Sequence, residues 1–246
     1  MTRRRLVLMV EGEGDVEAVP MLVKRLLAKL GAFDLLSLAP HPIRVGTYSK
    51  ICKDRFADWR RYLNVCRKRR DFGAALLLLD GDSHCIWTRQ GPLKEEGKKK
   101  PFCAMQAAQI LAEEAQAEGA GSLFSVAVVF ACQEFESWLI AGAESLVGRR
   151  FPDGRMVFPD RTPDIPPNPE IAPRDAKSWL GKRIPTGYNA PRDQANLAEM
   201  VDLELIRPRM RSFRRLESAV KQLVEAIRSG QAVVTPSGKR EPYLGG

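Results

Sequence analysis

Three uninterrupted apolar runs each break off at acidic residues: LVLMV at 6–10, AALLLL at 74–79 and LFSVAVVFA at 123–131. Runs this short and this apolar read as strands covered on both faces, the pattern of a parallel sheet rather than of a sheet with one wet face. Glu11, Glu13 and Asp15 follow the first run, Asp80 and Asp82 the second, Glu134 and Glu136 the third. Helical spacing fills the intervals. Val19, Leu22, Val23, Leu26, Leu27 and Leu30 recur on one helical face that ends at Gly31, with Pro20 expected in its first turn. Phe56, Trp59, Leu63 and Cys66 predict a helix over 54–70, and Pro101 opens another that runs to 118. A short strand is expected at 43–48. Alternation of this kind predicts an α/β fold with a mainly parallel sheet, right-handed crossovers and flanking helices.

The remaining sequence is different in character. Between 151 and 174 stand Pro152, Pro159, Pro163, Pro166, Pro167, Pro169 and Pro173, which no regular helix can accommodate. The expected organisation is a sheet domain over 1–150, a proline-rich loop or linker over 151–174, and a helical C-terminal extension over 175–230 packed on the sheet domain. Helices are expected near 175–182, 193–200 and 210–228, followed by a mobile polar tail over 231–246. The 246 residues, 44% of them apolar, suffice for a core. No apolar run approaches the ~18 residues of a membrane span, and MTRRR is followed by too few apolar residues for a signal peptide, so a cytoplasmic location is expected. Five scattered cysteines with two histidines argue against zinc and against disulfides.

In an open parallel sheet the functional crevice lies beyond the carboxyl ends of the strands, and all three acidic clusters fall there. Glu11 with Asp15, Asp80 with Asp82, and Glu134 with Glu136 would bring six carboxylates together. Their mutual repulsion calls for cations. Oxygen-only ligands suit a hard divalent ion, Mg²⁺ or Mn²⁺, and two such ions together can drive phosphodiester cleavage. Asp15 is also placed to cap the first helix, and Gly81 to allow a sharp turn between Asp80 and Asp82. GEGDVE does not make a dinucleotide or phosphate loop. Glu17 stands where the third glycine belongs, no Gly-Lys-Ser/Thr follows, and the acids would repel a phosphate.

Together, Glu11 after the first strand and the pair Asp80 and Asp82 after a later one resemble the TOPRIM domain of topoisomerases, bacterial-type primases and OLD-family (overcoming lysogenization defect) nucleases. Asp15 and the pair Glu134 and Glu136 resemble the additional acids of the nuclease branch, with Glu134 standing where that branch has aspartate. The whole chain further resembles a bacterial family of uncharacterised TOPRIM-like proteins through VEGEGDVEAVP, LLLLDGD, EFESWLIAG, AKSWL and MVDLELIRPRMRSF. The resemblance implies a Rossmann-like TOPRIM sheet and a two-metal endonuclease. Its metals would sit on Glu11, Asp15, Asp80, Asp82, Glu134 and Glu136. Catalysis would rest on Glu11, Asp80, Asp82, Glu136 and an assisting lysine, Lys177, with Lys182 in reserve. It also implies an ABC-type ATPase as partner, in defence against phage.

A net charge of +9 favours a polyanionic partner, because each cation placed on a phosphate releases a condensed counterion. Arg60, Arg61, Arg67, Lys68, Arg69 and Arg70 form one basic surface, Lys94, Lys98, Lys99 and Lys100 a second, and Arg207, Arg209, Arg211, Arg214 and Arg215 a third. In a nuclease these are expected to hold a nucleic-acid backbone on either side of the acidic cleft, the first two above all, without reading its sequence. Trp138 and Trp179 sit among apolar neighbours and read as core. Two other functions stay open: a non-catalytic subunit that docks an ATPase or DNA, and a small ribonuclease acting on structured RNA. Self-association is left open and no membrane partner is expected.

Overall fold

The computed structural model describes residues 4–159 and 161–237. In chain order its elements are β1 (Arg4–Val10), α1 (Asp15–Lys29), β2 (Leu36–Leu38), β3 (Ile43–Arg44), α2 (Tyr48–Arg67), β4 (Phe72–Asp80) and the small strands β5 (Trp87–Thr88), β6 (Gly91–Pro92), β7 (Lys94–Glu95) and β8 (Lys98–Lys99). There follow α3 (Ala104–Ala117), β9 (Ser125–Ala131), α4 (Glu136–Ala141), α5 (Ala176–Arg183), α6 (Ala190–Met200), α7 (Leu203–Arg209), α8 (Arg211–Ser229) and β10 (Val234–Thr235). The fold is α/β, as the strand pattern predicts. The main sheet runs β10-β9-β4-β1-β2, with β3 also on β1, and every pairing in it is parallel.

Period-two alternation assigns each strand's side chains to one of two cores. Leu6, Leu8, Val10, Leu76, Leu78, Ala127 and Val129 pack with α1 and the C-terminal helices. Val7, Met9, Leu77, Leu79, Val128 and Phe130 pack with α2 and α3. The chain leaves β1 through α1 on one face for β2, then returns through α2 on the other face to β4, on the far side of β1. The sheet order therefore reverses between β1 and β4, which opens a crevice at their carboxyl ends.

Several local expectations are corrected. Pro20 lies inside α1 rather than in its first turn, and Asp15 is the first helical residue, its predecessor Gly14 taking the cap position without a side-chain bond. Helix α2 begins earlier than 54, at Tyr48, and Lys53–Phe56 leave helical geometry within it, Asp54, Arg55 and Phe56 having positive φ. The strand expected at 43–48 is only β3, while β2 and α7 were not anticipated. The tail is not wholly loose: Val234 and Thr235 pair with Val126 and Ala127 as an edge strand. Residues 238–246 lie outside the described residues.

The described parts of the proline-rich segment, on either side of residue 160, pack against the rest of the chain. Phe151, Val157 and Phe158 are buried in the core that also holds Trp138, Trp179 and Phe213. Gln133 Nε2 donates to the Ile171 carbonyl (2.9 Å), and the Ser212 N–H donates to Glu170 Oε1 (2.5 Å). Trp138 and Trp179 are core residues, Trp138 Nε1 donating to Ser212 Oγ (2.8 Å).

Candidate functional site

Register places the first two acidic clusters side by side. Val10 pairs with Leu78, so Glu11 leaves β1 where β4 has two residues still to run. The Asp80 N–H donates to Glu11 Oε2 (3.2 Å). On the other side β4 runs beside β9, with Asp80 opposite Ala131, and Asp80 Oδ1 accepts the Phe135 N–H (2.9 Å). Glycine is required at 81 by space rather than by a left-handed turn. A Cβ there would stand 2.8 Å from the Ala131 carbonyl oxygen, and the Gly81 N–H donates to both Ala131 and Gln133 carbonyls at 2.7 Å. Gly81→Ala is expected to cost about 1–3 kcal/mol, read as a lower denaturant midpoint, because the obstructing atoms are backbone and cannot turn aside.

The C-terminal helices complete the cluster. Lys177, from the first turn of α5, brings its Nζ to 3.5 Å from Glu134 Oε1, 3.9 Å from Glu136 Oε2 and 4.0 Å from Asp80 Oδ2. Glu134 Oε2 accepts the Ala176 N–H (3.1 Å) and so anchors the start of that helix. The Tyr188 hydroxyl donates to Glu136 Oε1 (2.9 Å), and Glu136 is 1% exposed. Asp15 accepts from the Gly12 N–H and from Gln194 Nε2, both at 2.8 Å. Helix α6 approaches so closely that a Cβ on Gly14 would fall 2.1 Å from Gln194 Oε1 and 3.1 Å from the Ala190 carbonyl carbon. Tyr188 and Gln194 were missed by sequence reasoning, since each meets its acid only through tertiary packing. Asp82 is exposed and lines a cavity of about 340 Å³ together with Glu11 and Asp80. Glu13 points to solvent, and Lys182 lines a separate recess with Arg161 and Asp164.

Burial and like charge dominate the electrostatics. Burial first, then Asp82 and Asp15, raise Glu11 to about 7 against the lowering effect of the Asp80 N–H. Burial raises Glu136 to about 7, although Lys177 pulls the other way. Asp80 is pushed well above the usual carboxylate range by burial and then by Asp15, Glu136 and Glu11. Burial alone would lower Lys177, but Glu136, Asp80 and Glu134 outweigh it and hold the ammonium charged. As the side chains stand, among the described residues no three acids, histidines or cysteines converge tightly enough to make a ready ion sphere. Lys177 is the cation seated between Asp80, Glu134 and Glu136.

The basic clusters divide. Helix α2 runs from the crevice to the opposite end of the sheet, so Arg67, Lys68, Arg69 and Arg70 lie beside the start of β4, about 25 Å of strand away from Asp80. They do not flank the acids. Arg67 stacks over Phe124, Arg69 donates to the His41 carbonyl, and Arg70 pairs with Asp71. Arg60 is engaged by Glu114 and Glu118, and Arg61 by Asp58. In the third cluster Arg207 pairs with Glu204 and Glu217, and Arg209 with Glu144. Lys98 and Lys99 are exposed on the β7–β8 hairpin near the acids, while Lys100 pairs with Glu95. Among the described residues no helix is long and apolar enough to cross a membrane.

Comparison with known proteins gives one result. A family model described as a domain of unknown function, DUF4276, matches residues 10–221. No curated protein matches the chain, and no solved structure does. The match takes in Glu11, Asp15, Asp80, Asp82, Glu134, Glu136 and Lys177, so the whole acidic crevice lies within the matched region. The chain belongs to the DUF4276 family.

Proposed function

We propose that the protein is a divalent-metal-dependent endonuclease of the TOPRIM type, similar to OLD-family nucleases. The observation that carries this reading is the convergence of carboxylates from three strand ends on one crevice at the reversal of the sheet order. The donor set fits a hard ion: it is oxygen only, and burial, with neighbouring carboxylates second, disfavours the bare charge of Glu11, Asp80 and Glu136, which Lys177 offsets in part. Glu11, Asp80 and Asp82 would hold one Mg²⁺ or Mn²⁺, and Asp15, Glu134 and Glu136 a second. When bound, such ions make water a nucleophile near neutral pH and stabilise the leaving oxygen of a phosphodiester.

The chain's own groups supply the rest. Lys177 is placed to stabilise negative charge developing on the phosphate. Tyr188 and Gln194 fix Glu136 and Asp15 by single hydrogen bonds, and Glu134 fixes the helix that carries Lys177. The test is incubation of the purified protein with plasmid, single-stranded DNA, transfer RNA and ribosomal RNA in Mg²⁺ or Mn²⁺. Cleavage that EDTA stops is expected, and absence of cleavage of every substrate, with or without a co-purified partner, would sink the reading. Cleavage confined to the RNAs would make it a ribonuclease.

One observation favours a second reading, a non-catalytic subunit that docks an ATPase or DNA: Lys177 already neutralises part of the cluster. That subunit would cleave nothing and would bind Mn²⁺ no better than its Asp80→Ala variant. The resemblance also suggests an ABC-type ATPase as partner and a role in anti-phage defence, which co-purification from the native host would test.

A further inference from the structure

The cavity beside the acids has a second wall of different chemistry. Between β4 and α3 the chain forms two small hairpins that meet at Leu93: the Leu93 N–H donates to the Ile86 carbonyl (2.7 Å) at the base of β5–β6, and the Lys100 N–H donates to the Leu93 carbonyl (2.8 Å) at the base of β7–β8. From these hairpins Trp87 and Lys99 face the cavity that Glu11, Asp80 and Asp82 line from the strand ends. Thr47 and Ser49, whose hydroxyls stand 3.2 Å apart at the start of α2, border it as well. The backbone N–H of Trp87 donates to the Tyr48 hydroxyl (3.1 Å), which fixes the chain there, and the residue is partly exposed. Lys99 is exposed and makes no ion pair among the described residues.

We propose that this cavity is a subsite for one unstacked nucleotide of a single-stranded nucleic acid, with Trp87 against its base and Lys99, Thr47 and Ser49 on its phosphate. The inference rests on the nuclease reading above and deepens it by assigning the strandedness of the substrate. Three features carry it. At about 340 Å³ the cavity is at the small end of ligand pockets, enough for one nucleotide and too small for a base pair. A tryptophan that is partly exposed and borders the cavity offers a surface on which any base can stack, and an ammonium with one hydroxyl of the hydrogen-bonded Thr47–Ser49 pair offers donors to phosphate oxygens. In a duplex both faces of each base are already stacked, so a duplex would have to extrude a nucleotide to enter.

The experiment measures fluorescence anisotropy of a labelled eight-nucleotide strand, as DNA and as RNA, and of the corresponding duplexes. Ca²⁺ replaces Mg²⁺, and a gel confirms that the strands stay intact. The wild type is expected to bind at least one of the single strands at least about fivefold more tightly than its duplex. Trp87→Ala should weaken that binding by about tenfold, and Trp87→Tyr should restore it to within about twofold. Lys99→Ala should weaken it and lower the slope of log affinity against log salt by about one. Lys221→Ala, on the exposed side of α8, serves as the control with no change expected. If the wild type cleaves nucleic acid but Trp87→Ala and Lys99→Ala bind as it does, or duplex binds as tightly as single strand, this inference falls and the nuclease reading stands. If the wild type binds no oligonucleotide, this inference falls, and the cleavage assay alone decides the nuclease reading. Should Trp87→Ala fail to fold, the Lys99→Ala slope and the single-strand preference decide.

Discussion

Asp80→Asn is expected to abolish metal-dependent cleavage and, in the same protein without metal, to raise the melting temperature. Asp80 is the residue on which the three clusters meet. Its backbone N–H holds Glu11, its Oδ1 takes the Phe135 N–H, and its Oδ2 faces Lys177. Losing its charge removes a group on which the bound cations would depend, and a loss of about a thousandfold or more is the scale set by single preorganised electrostatic groups. Stability moves the other way. In the metal-free protein the folded chain must either leave a charge buried among Asp15, Glu136 and Glu11 or hold a proton against solvent. Asparagine does neither, and its Oδ1 can still accept from Phe135. A gain of about 1–2 kcal/mol is expected, several degrees for a chain of this length, because burial and like charge destabilise a carboxylate there. Differential scanning fluorimetry in EDTA checks this. A lower melting temperature than wild type would show that Asp80 is a structural acceptor rather than a strained ligand.

The acids were legible because their signal is local. A carboxylate that directly follows a buried parallel strand must emerge at the strand's carboxyl end, and nothing in the tertiary structure can move it elsewhere. That places Glu11, Asp80, Asp82 and Glu134 from the sequence, and puts Glu136 on the first turn of the helix that follows. Lys177 was found by resemblance and lies among them, since α5 is anchored by Glu134. Tyr188 and Gln194 carry no local mark. A tyrosine in a loop and a glutamine in an amphipathic helix become site residues only because α6 packs on α1 across Gly14. Charge clusters were the poorest guide, because a run of arginines says nothing about what faces it. Arg60 and Arg207 meet glutamates from other helices, and Arg67–Arg70 fall at the wrong end of the sheet because α2 must return to start β4. Two-residue strands such as β3 and β10 are set by pairing on β1 and β9, not by their own pattern.

In EDTA the protein is expected to lose stability as pH rises from about 5 to 8, and divalent metal should remove most of that loss. Glu11 and Glu136, each raised from 4.5 to about 7, still hold protons in the folded state through the window in which the unfolded chain has released them. The folded protein then binds more protons than the unfolded one, so stability falls with pH between about 4.5 and 7. Asp80, also raised by burial and by its acidic neighbours, adds to the fall in the same direction. A shift of that size is worth at most about 3 kcal/mol per carboxylate, so a drop on the order of 10 °C across the window is expected. The depressed carboxyls of Asp193 and Glu204 give stability that is lost only as pH falls through their folded values, below this window, so they do not mask it. Metal binds the deprotonated ligands and must displace those protons, so its stabilisation should grow with pH and reach about 3 kcal/mol at a hundredfold excess over Kd. Glu11→Gln should flatten the EDTA profile by about a third to a half, because it removes one of the three carboxylates whose proton affinity is raised in the fold. Thermal melts at each pH, with EDTA and with Mn²⁺, read all three. A flat EDTA profile, or a metal effect equal at pH 5 and pH 8, would mean that these acids do not act as one cation-seeking cluster.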